Sequence, residues 1–290
     1  MSKGGETMAV VPEGVDAQQL HVVARRVLLD GLTALSDQLD ALTVVGAQAV
    51  YLRTPQAALR TSPFTSDGDI SIDPDRLQDA PLLDQALQEA GFELLRDNQP
   101  GLWARTQRIG DREVPIEFDL LMAKGLAPKI GSRSVKIPPH GVMSARWVPG
   151  LEVAAVDRSP MNITGIEPSD TRTITVNVAG PAALLVAKAF KINDRLKQAD
   201  TRPARLTDKD AGDVLRIIRA IPVAQVAASF TSLCEDPRVG ETTREGLQLL
   251  KDLFGGPATP GVDMAVQALS GDLPEATIRA LAPAYISRLM

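Results

Sequence analysis

The sequence predicts an α+β fold of the mixed α/β type, in which a mixed β-sheet with flanking helices is followed by a C-terminal helical domain. Helical and strand-like periodicities alternate along the first part of the chain and then give way to a strand meander, which indicates a mixed sheet. From Pro181 onward, nearly every segment has apolar residues at helical spacing. The predicted domains are therefore residues 1–180 and 181–290.

The N-terminal domain is predicted to start with a loose polar tail and then a helix that Asp16 can cap, because leucines and valines recur at helical spacing as far as Leu39. A short buried strand is predicted at 43–45, and a helix begins at Gly46. The segment DISID, at 69–73, alternates as a strand does.

The next predicted helix has Asp79 as its cap and Gly91 just past its end. The segments FELLR, LWARTQRI and VPIEFDLLM are then predicted as strands, with a hairpin turn at Gly110 and Asp111 between the last two. LEVAAV and TITVNVAG have strand-like patterns as well. The strongest helical patterns after Pro181 are AALLVAKAFKINDRL, DKDAGDVLRIIRAI, TREGLQLLKDLF and PEATIRALAPAYISRLM.

Composition and charge exclude several classes of protein. An apolar content of 44% supports a substantial core, and a net charge of −5 argues against a general polyanion binder. The single cysteine, Cys234, allows no internal disulfide, and with only two histidines a structural zinc site is not expected. The N-terminus lacks a signal pattern and no apolar run is long enough to cross a bilayer, so a cytoplasmic protein without a membrane partner is expected.

Acidic residues cluster in TSDGDISID, which places Asp67, Asp69 and Asp73 within nine positions. Because strand side chains alternate, Asp67 and Asp69 share one face of the predicted strand. PIEFDLLM repeats the pattern, with Glu117 and Asp119 on one face. If the two strands are neighbours, Asp67, Asp69 and Asp119 can meet and bind Mg²⁺, which prefers oxygen ligands and keeps substrate phosphates in its shell. A pair of such ions can clamp the attacking and leaving oxygens of a nucleotidyl transfer.

Simpler interpretations of these residues stay open. Asp-Gly is a common turn, so the cluster can also be solvated loop charge. A calcium-binding EF-hand loop is excluded, because Ile72 and Gln78 stand where it needs Gly and Glu. Gly46, at a strand-to-helix junction, can let backbone N–H groups hold a phosphate, or it can simply make a tight turn.

A glycine at the start of a helix, an Asp-x-Asp pair on the next strand and a third acid on a later strand together resemble the nucleotidyltransferase superfamily. In that family these positions hold a nucleoside triphosphate and Mg²⁺. By this resemblance the nucleotide contacts are Gly46, Ala47 and Gln48, with Ala47 in place of the usual second Gly or Ser. The resemblance makes Asp67, Asp69 and Asp119 the ligands of two Mg²⁺ ions, for which Mn²⁺ can substitute, and Glu117 is the alternative third acid.

The helical half is similar to the AbiEii/AbiGii-type toxins and their MenT-like relatives. The similarity is in ALLVAKAFKINDR and RLTDKDAGDVLRII, where Lys188 matches the functional lysine and Asp210 and Asp213 match the two acids of the following helix. The resemblance implies a toxin that moves an NMP from an NTP to an acceptor, such as a tRNA 3′ end or another RNA, and that has an antitoxin partner. Lys188 would neutralise charge, and Asp213 would orient Lys188 or the acceptor.

Basic residues offer further contacts to a nucleotide. Lys188, Lys191 and Arg195 fall on one helical face, which can bind a triphosphate or can be an ordinary solvated face. Residues 123–148 contain basic side chains and no acid, which suits either a nucleic-acid end or a polar loop. Two other functions remain as alternatives: a binding module without catalysis on a degraded nucleotidyltransferase fold, and a nucleotidyltransferase that modifies a small molecule such as an antibiotic.

Overall fold

The computed structural model describes residues 15–57, 59 and 65–289. In chain order the elements are α1 (Ala17–Ala34), β1 (Leu42–Val45), α2 (Gly46–Arg53), β2 (Asp67–Ile72), α3 (Leu83–Glu89), β3 (Glu93–Leu94), β4 (Leu102–Ile109), β5 (Arg112–Ala123), β6 (Arg146–Val148), β7 (Arg158–Thr164), β8 (Thr173–Ala179), α4 (Pro181–Lys197), α5 (Lys209–Ala220), α6 (Val223–Glu235), α7 (Gly240–Phe254), α8 (Pro260–Ala268) and α9 (Glu275–Ile286). Short 3₁₀ helices span Ser36–Ala41, Glu152–Ala155 and Pro203–Arg205. The predicted N-terminal tail lies outside the described residues except for Val15.

The strands of the described residues form one mixed sheet in the order β3-β4-β5-β2-β1-β8-β7, with β6 paired to β5. The central pairs β2–β5 and β1–β8 are parallel, whereas β1–β2, β4–β5 and β7–β8 are antiparallel. The predicted mixed sheet with flanking helices is confirmed. The β4–β5 hairpin also forms where it was predicted, with Gly110 at a φ of 60°.

Helix α1 covers one face of this sheet. Its capping residue is Asp16, as predicted, and its side chain accepts hydrogen bonds from the backbone of the first turn. Leu28 packs near Gly68 of β2, and Gly31 of α1 lies against the ring of Phe118. Since strand side chains alternate, the apolar side of β2 and β5 faces α1 and their acidic side faces away from it.

Beyond Pro181 the regular structure of the described residues is helical, as predicted. Helices α4 and α5 pack against α2, which follows directly after β1. The C-terminal helices therefore lie next to the N-terminal sheet. The domain boundary near residue 180 stays a prediction.

Three local predictions were wrong. The first helix ends at Ala34 and is followed by a 3₁₀ turn, so it does not reach Leu39. The helix predicted from Asp79 begins at Leu83, because Gln38 donates to the carbonyls of residues 78 and 81 and holds that stretch outside the helix. LEVAAV contains a 3₁₀ helix and no strand, and its Glu152 turns inward to accept a hydrogen bond from the Gly125 amide.

Among the described residues, no single helix is long and apolar enough to cross a membrane. One pair, 203–220 with 223–235, reaches that length and apolarity only when the two helices are counted together across a 109° bend.

Candidate active site

The acidic residues predicted on two strands lie on the same face of the sheet. In the parallel pair β2–β5, Asp67 is opposite Glu117 and Asp69 is opposite Asp119. Side chains that are opposite each other on neighbouring strands project to the same side. The register therefore brings carboxylates from two strands to one spot. Glu117, the alternative third acid, lies there together with Asp119.

Gly46 lies against one of these carboxylates. Strand β1 pairs with β2 so that Val45 is opposite Asp69, and α2 begins at the next residue. Gly46 has a φ of 66°, and a β-carbon there would overlap Oδ2 of Asp69 and lie 2.8 Å from its Cγ. Glycine is therefore the residue that this junction can accept, and the N-terminus of α2 is beside the acidic cluster.

The other two predicted nucleotide contacts are buried. Ala47 is 5% exposed and Gln48 is 1% exposed. The Gln48 amide accepts from Nε of Arg25 at 2.8 Å and donates to the backbone carbonyl of Asp67 at 3.3 Å. The Gln48 side chain thus holds the start of β2 in place. A nucleotide bound here would contact the backbone of this turn and not the Gln48 side chain.

Asp119 makes an ion pair that was not predicted. Nη1 and Nη2 of Arg146, on β6, donate to its two carboxylate oxygens at 3.2 and 2.6 Å. Such a forked pair is a strong charge-assisted contact. Arg146 belongs to the acid-free stretch 123–148, but its sequence does not indicate Asp119 as its partner.

Burial and mutual repulsion raise the pKa values of three of the four carboxylates in this cluster. Burial, with the repulsion of Asp67, raises the pKa of Asp69. Burial also raises the pKa of Glu117 to about 7, and Asp67 and Asp69 add to this effect. Burial raises the pKa of Asp119 to about 8 against the opposing effect of Arg146. Carboxylates that hold protons this strongly form a site that favours a cation.

Asp67 differs because cations surround it. Burial alone would raise its pKa, but Lys209 and a hydrogen bond from the Thr65 hydroxyl hold it below its ordinary value. Lys209 donates to the same hydroxyl at 3.3 Å. Neither Lys209 nor Thr65 was predicted, because the link between them joins residues far apart in the chain.

Two carboxylates of the acidic face meet the needs of Mg²⁺, and a third is engaged by an arginine. Hard cations take carboxylate oxygens and leave positions to water and phosphate, and Asp67 and Asp69 offer such oxygens. In the part of the chain that the structure describes, no group of three or more His, Cys, Asp or Glu side chains is arranged to hold a metal ion. Both oxygens of Asp119 are directed at Arg146. Asp67 and Asp69 can therefore both be ligands of one ion. Asp119 has no oxygen available as a third ligand while it is bonded to Arg146.

Lys188, Asp210 and Asp213 form a buried cluster between α4 and α5. The lysine Nζ donates to Asp210 Oδ1 and to Asp213 Oδ2, each at 2.6 Å. Burial opposes the charge of Lys188, but the two aspartates raise its pKa overall. The charges of Lys188 and Lys191 also act on Asp67 and Asp69, so this cluster borders the acidic face.

The other two residues of the predicted basic face of α4, Lys191 and Arg195, also pair with Asp210. Asp210 accepts from Arg195 at 2.7 Å and pairs with Lys191 at 3.3 Å. Lys191 keeps 47% of its side chain exposed, whereas the Lys188 side chain is 5% exposed. Lys191 is therefore the residue of this face that a soluble ligand can reach.

Asp73, the last aspartate of the segment TSDGDISID, forms structural ion pairs. It lies just beyond the far end of β2 from Asp67. Arg238, between α6 and α7, donates to it at 2.8 Å, and Arg158 of β7 donates at 3.4 Å. Asp73 thus connects the helical half to the sheet and takes no part in the acidic face.

The two tryptophans of the chain, Trp103 and Trp147, have different surroundings. Trp103 is buried and donates to the Ser144 carbonyl at 3.0 Å, so it is a core residue. The Lys124 ammonium lies 5.1 Å from the centre of the half-buried Trp147 ring. Lys129, Arg133 and Lys136 in the same acid-free stretch are exposed.

No model of a known protein family matches the chain, and no curated protein is similar to it in sequence. The solution structure of the antibiotic-resistance factor ANT(2'')-Ia is similar with a TM-score of 0.36 and 13% identity, over 75% of this chain and 91% of that chain. The crystal structure of ANT(2'')-Ia in complex with adenylyl-2''-tobramycin is similar with a TM-score of 0.32 and 12% identity, over 72% of this chain and 96% of that chain.

Proposed function

We propose that the protein is a Mg²⁺-dependent nucleotidyltransferase, which moves an NMP from an NTP to an acceptor hydroxyl. The observation on which the proposal depends is the β2–β5 register, which brings Asp67 and Asp69 opposite Glu117 and Asp119. The close approach of Gly46 to Asp69 supports it, because the backbone at a helix N-terminus is then available to phosphate beside the acids.

Asp67 and Asp69 would hold the cation, and Mn²⁺ could replace Mg²⁺ there. When bound, the ion would neutralise the phosphates and polarise the phosphorus under attack. Asp119 is the third acid of the site. Its pair with Arg146 determines whether it too can bind an ion, as a second ion would require.

In the proposed reaction the acceptor oxygen bonds to the α-phosphorus of the NTP. The bond from that phosphorus to the oxygen shared with the β-phosphate breaks, and pyrophosphate leaves with its electron pair. The hydroxyl proton passes to a carboxylate of the face, for which Glu117 and Asp119 are the candidates on β5. Their surroundings raise the pKa of each, which suits a proton acceptor.

The cations beside the acids would bind the triphosphate. Lys191 is half-exposed and near Asp67 and Asp69, so it can reach phosphate oxygens directly. Lys188 is buried and bonded to Asp210 and Asp213, so it would act by its charge and by holding α4 against α5. Asp213 would orient Lys188. The backbone of Gly46 and Ala47 would approach the phosphates.

For the acceptor we propose an RNA, and specifically a tRNA 3′ end. The exposed basic residues Lys129, Arg133 and Lys136 lie in the stretch that leads to Arg146 at the site, and they favour a polyanion over a cationic small molecule. The resemblance of the helical segments to AbiEii/AbiGii-type toxins supports the same acceptor and an antitoxin partner.

The test is transfer of label from each α-labelled NTP in the presence of Mg²⁺, with total tRNA, other RNA and an aminoglycoside panel as acceptors. We expect label on tRNA with the wild type and none with Asp69→Asn. The matched control is Asp111→Asn, which removes a fully exposed aspartate from the β4–β5 turn and should transfer label normally. Label on the aminoglycoside would identify a small-molecule enzyme. Stabilisation by NTP without any transfer would indicate a binding module and contradict catalysis.

A further inference from the structure

We propose that the guanidinium of Arg146 occupies the position on Asp119 at which a second metal ion would otherwise bind. The site therefore binds one divalent ion, at Asp67 and Asp69. This inference rests on the proposed function and specifies how the site is neutralised. Two nitrogens of Arg146 bond the two oxygens of Asp119 at 3.2 and 2.6 Å. The Asp119 side chain is 7% exposed and the Arg146 side chain is 27% exposed, so the acid is buried and the arginine covers it from a partly exposed position.

The backbone of Arg146 is fixed in the sheet. Strand β6 pairs in parallel with β5, with Arg146 opposite Leu121, two residues beyond Asp119. Gly101, with a φ of 71°, packs against it, and a β-carbon there would lie 2.6 Å from the Arg146 nitrogen. The Gly101 carbonyl also accepts from the amide of Leu120 at 2.8 Å. The guanidinium therefore projects from a backbone that the sheet and Gly101 hold in place next to its acid.

Charge explains why this arrangement opposes a second ion. The positive charge of Arg146 acts on Asp119, Asp69 and Glu117, since it lowers the pKa of each against the effect of burial. A divalent cation bound to Asp119 would have to displace the guanidinium or lie beside it, and like charges in a buried site repel strongly. Among the residues that the structure describes, no arginine forms such a forked pair with Asp67 or Asp69, so the ion would bind them first.

The test counts the Mn²⁺ ions bound by the full chain with electron paramagnetic resonance, which measures free Mn²⁺. We expect the wild type to bind one ion and Asp119→Asn to bind one as well, because Asp119 is not a ligand. Arg146→Gln frees Asp119 and should bind a second ion, with a Kd at least about tenfold below the highest Mn²⁺ concentration at which the wild type still binds only one. Adding Asp119→Asn to Arg146→Gln should return the count to one.

Arg105→Gln is the control for loss of charge. Arg105 lies on the neighbouring strand β4 and pairs with Asp30 at 2.6 Å, so this variant has the same net charge as Arg146→Gln but keeps Asp119 paired. It should bind one ion. A second readout is thermal unfolding: Mn²⁺ should raise the Tm of Arg146→Gln more than that of the wild type.

The outcomes separate this inference from the proposed function. Two ions in the wild type, of which Asp119→Asn loses one, would overturn the role of Arg146 and leave the metal site intact. An unchanged count in folded Arg146→Gln would also overturn it. If Arg146→Gln does not fold, the count in Asp119→Asn decides alone. No ion in any variant would overturn both proposals.

Discussion

The α-carbon of Gly46 faces the carboxylate of Asp69 so closely that no larger residue can stand at this position. A β-carbon on Gly46 would overlap Oδ2 and lie 2.8 Å from Cγ. The backbone there also has a φ of 66°, which L-residues rarely adopt. This contact joins the predicted phosphate-binding junction to the predicted metal ligand.

Gly46→Ala should therefore remove activity. The left-handed backbone costs about 1–2 kcal/mol for alanine, and the overlap would also displace Asp69, for which we expect about a 100-fold loss in kcat/KM. Gly110→Ala is the matched control, because Gly110 has a φ of 60° and no atom within 4 Å of an added β-carbon. Equal loss of unfolding free energy and of activity in the two variants, measured by urea unfolding and label transfer, would show that Asp69 is not affected.

Lys188 and Lys191 should separate stability from binding. Lys188→Met removes the buried lysine that Asp210 and Asp213 share, and should cost about 3–5 kcal/mol in urea unfolding even though Asp210 keeps Arg195 and Lys191. Lys191→Met breaks a half-exposed pair and should cost at most about 1 kcal/mol.

The same two variants should differ in NTP binding. We expect Lys191→Met to raise the Kd for NTP about tenfold, which corresponds to one charge-assisted hydrogen bond of about 1.5 kcal/mol. Calorimetric titration with a non-hydrolysable NTP measures this Kd. An unchanged Kd would exclude Lys191 as a phosphate contact.

The metal-free protein should lose stability at this site as the pH rises. The folded-state pKa of Asp119 is raised from 3.8 to about 8, so between these values the folded protein binds a proton that the unfolded chain has released. Unfolding free energy therefore falls with pH through that window. The slope of unfolding free energy against pH should be shallower in Asp119→Asn. If the two slopes are equal, Asp119 is ionised in the folded protein at neutral pH.

Cation binding should show the opposite dependence. A divalent ion competes with the protons of the acidic face, so its affinity should increase from pH 6 towards pH 8. Glu117, with a pKa raised to about 7, contributes in the same direction. Mn²⁺ titrations across this range measure the change, and a constant affinity would contradict an ion among these carboxylates.

Asp73→Asn should affect stability and leave the acidic face intact. The change removes the charge that Arg158 and Arg238 share, and Arg158 has an 8% exposed side chain. We expect a loss of about 3–5 kcal/mol in unfolding free energy, since one partner of a buried pair disappears. The folded fraction should bind Mn²⁺ as tightly as the wild type. Weaker binding would mean that Asp73 belongs to the site.

The faces of β2 and β5 could be predicted because a strand fixes which side chains share a side. Alternation in DGDISID and PIEFDLLM was enough to group Asp67 with Asp69 and Glu117 with Asp119. The start of a helix at Gly46 was also predicted, but the sequence left open whether this glycine makes a tight turn or lets the backbone hold a phosphate. These inferences are local.

Long-range pairs could not be predicted. Arg146 meets Asp119 only because a loop of more than 20 residues returns β6 to the end of β5, and no local pattern specifies that return. Lys209 reaches Thr65 through packing of α5 against α2. The apolar run around Glu152 was misassigned for the same reason, because a tertiary contact with Gly125 decides its conformation.

The most direct measurement of the central claim is a crystal structure with Mn²⁺ and a non-hydrolysable NTP, recorded at a wavelength where manganese scatters anomalously. We predict a manganese peak bonded to carboxylate oxygens of Asp67 and Asp69, with the triphosphate between it and the start of α2. A nucleotide bound elsewhere, with no manganese at these two aspartates, would contradict the proposal that this face is an active site.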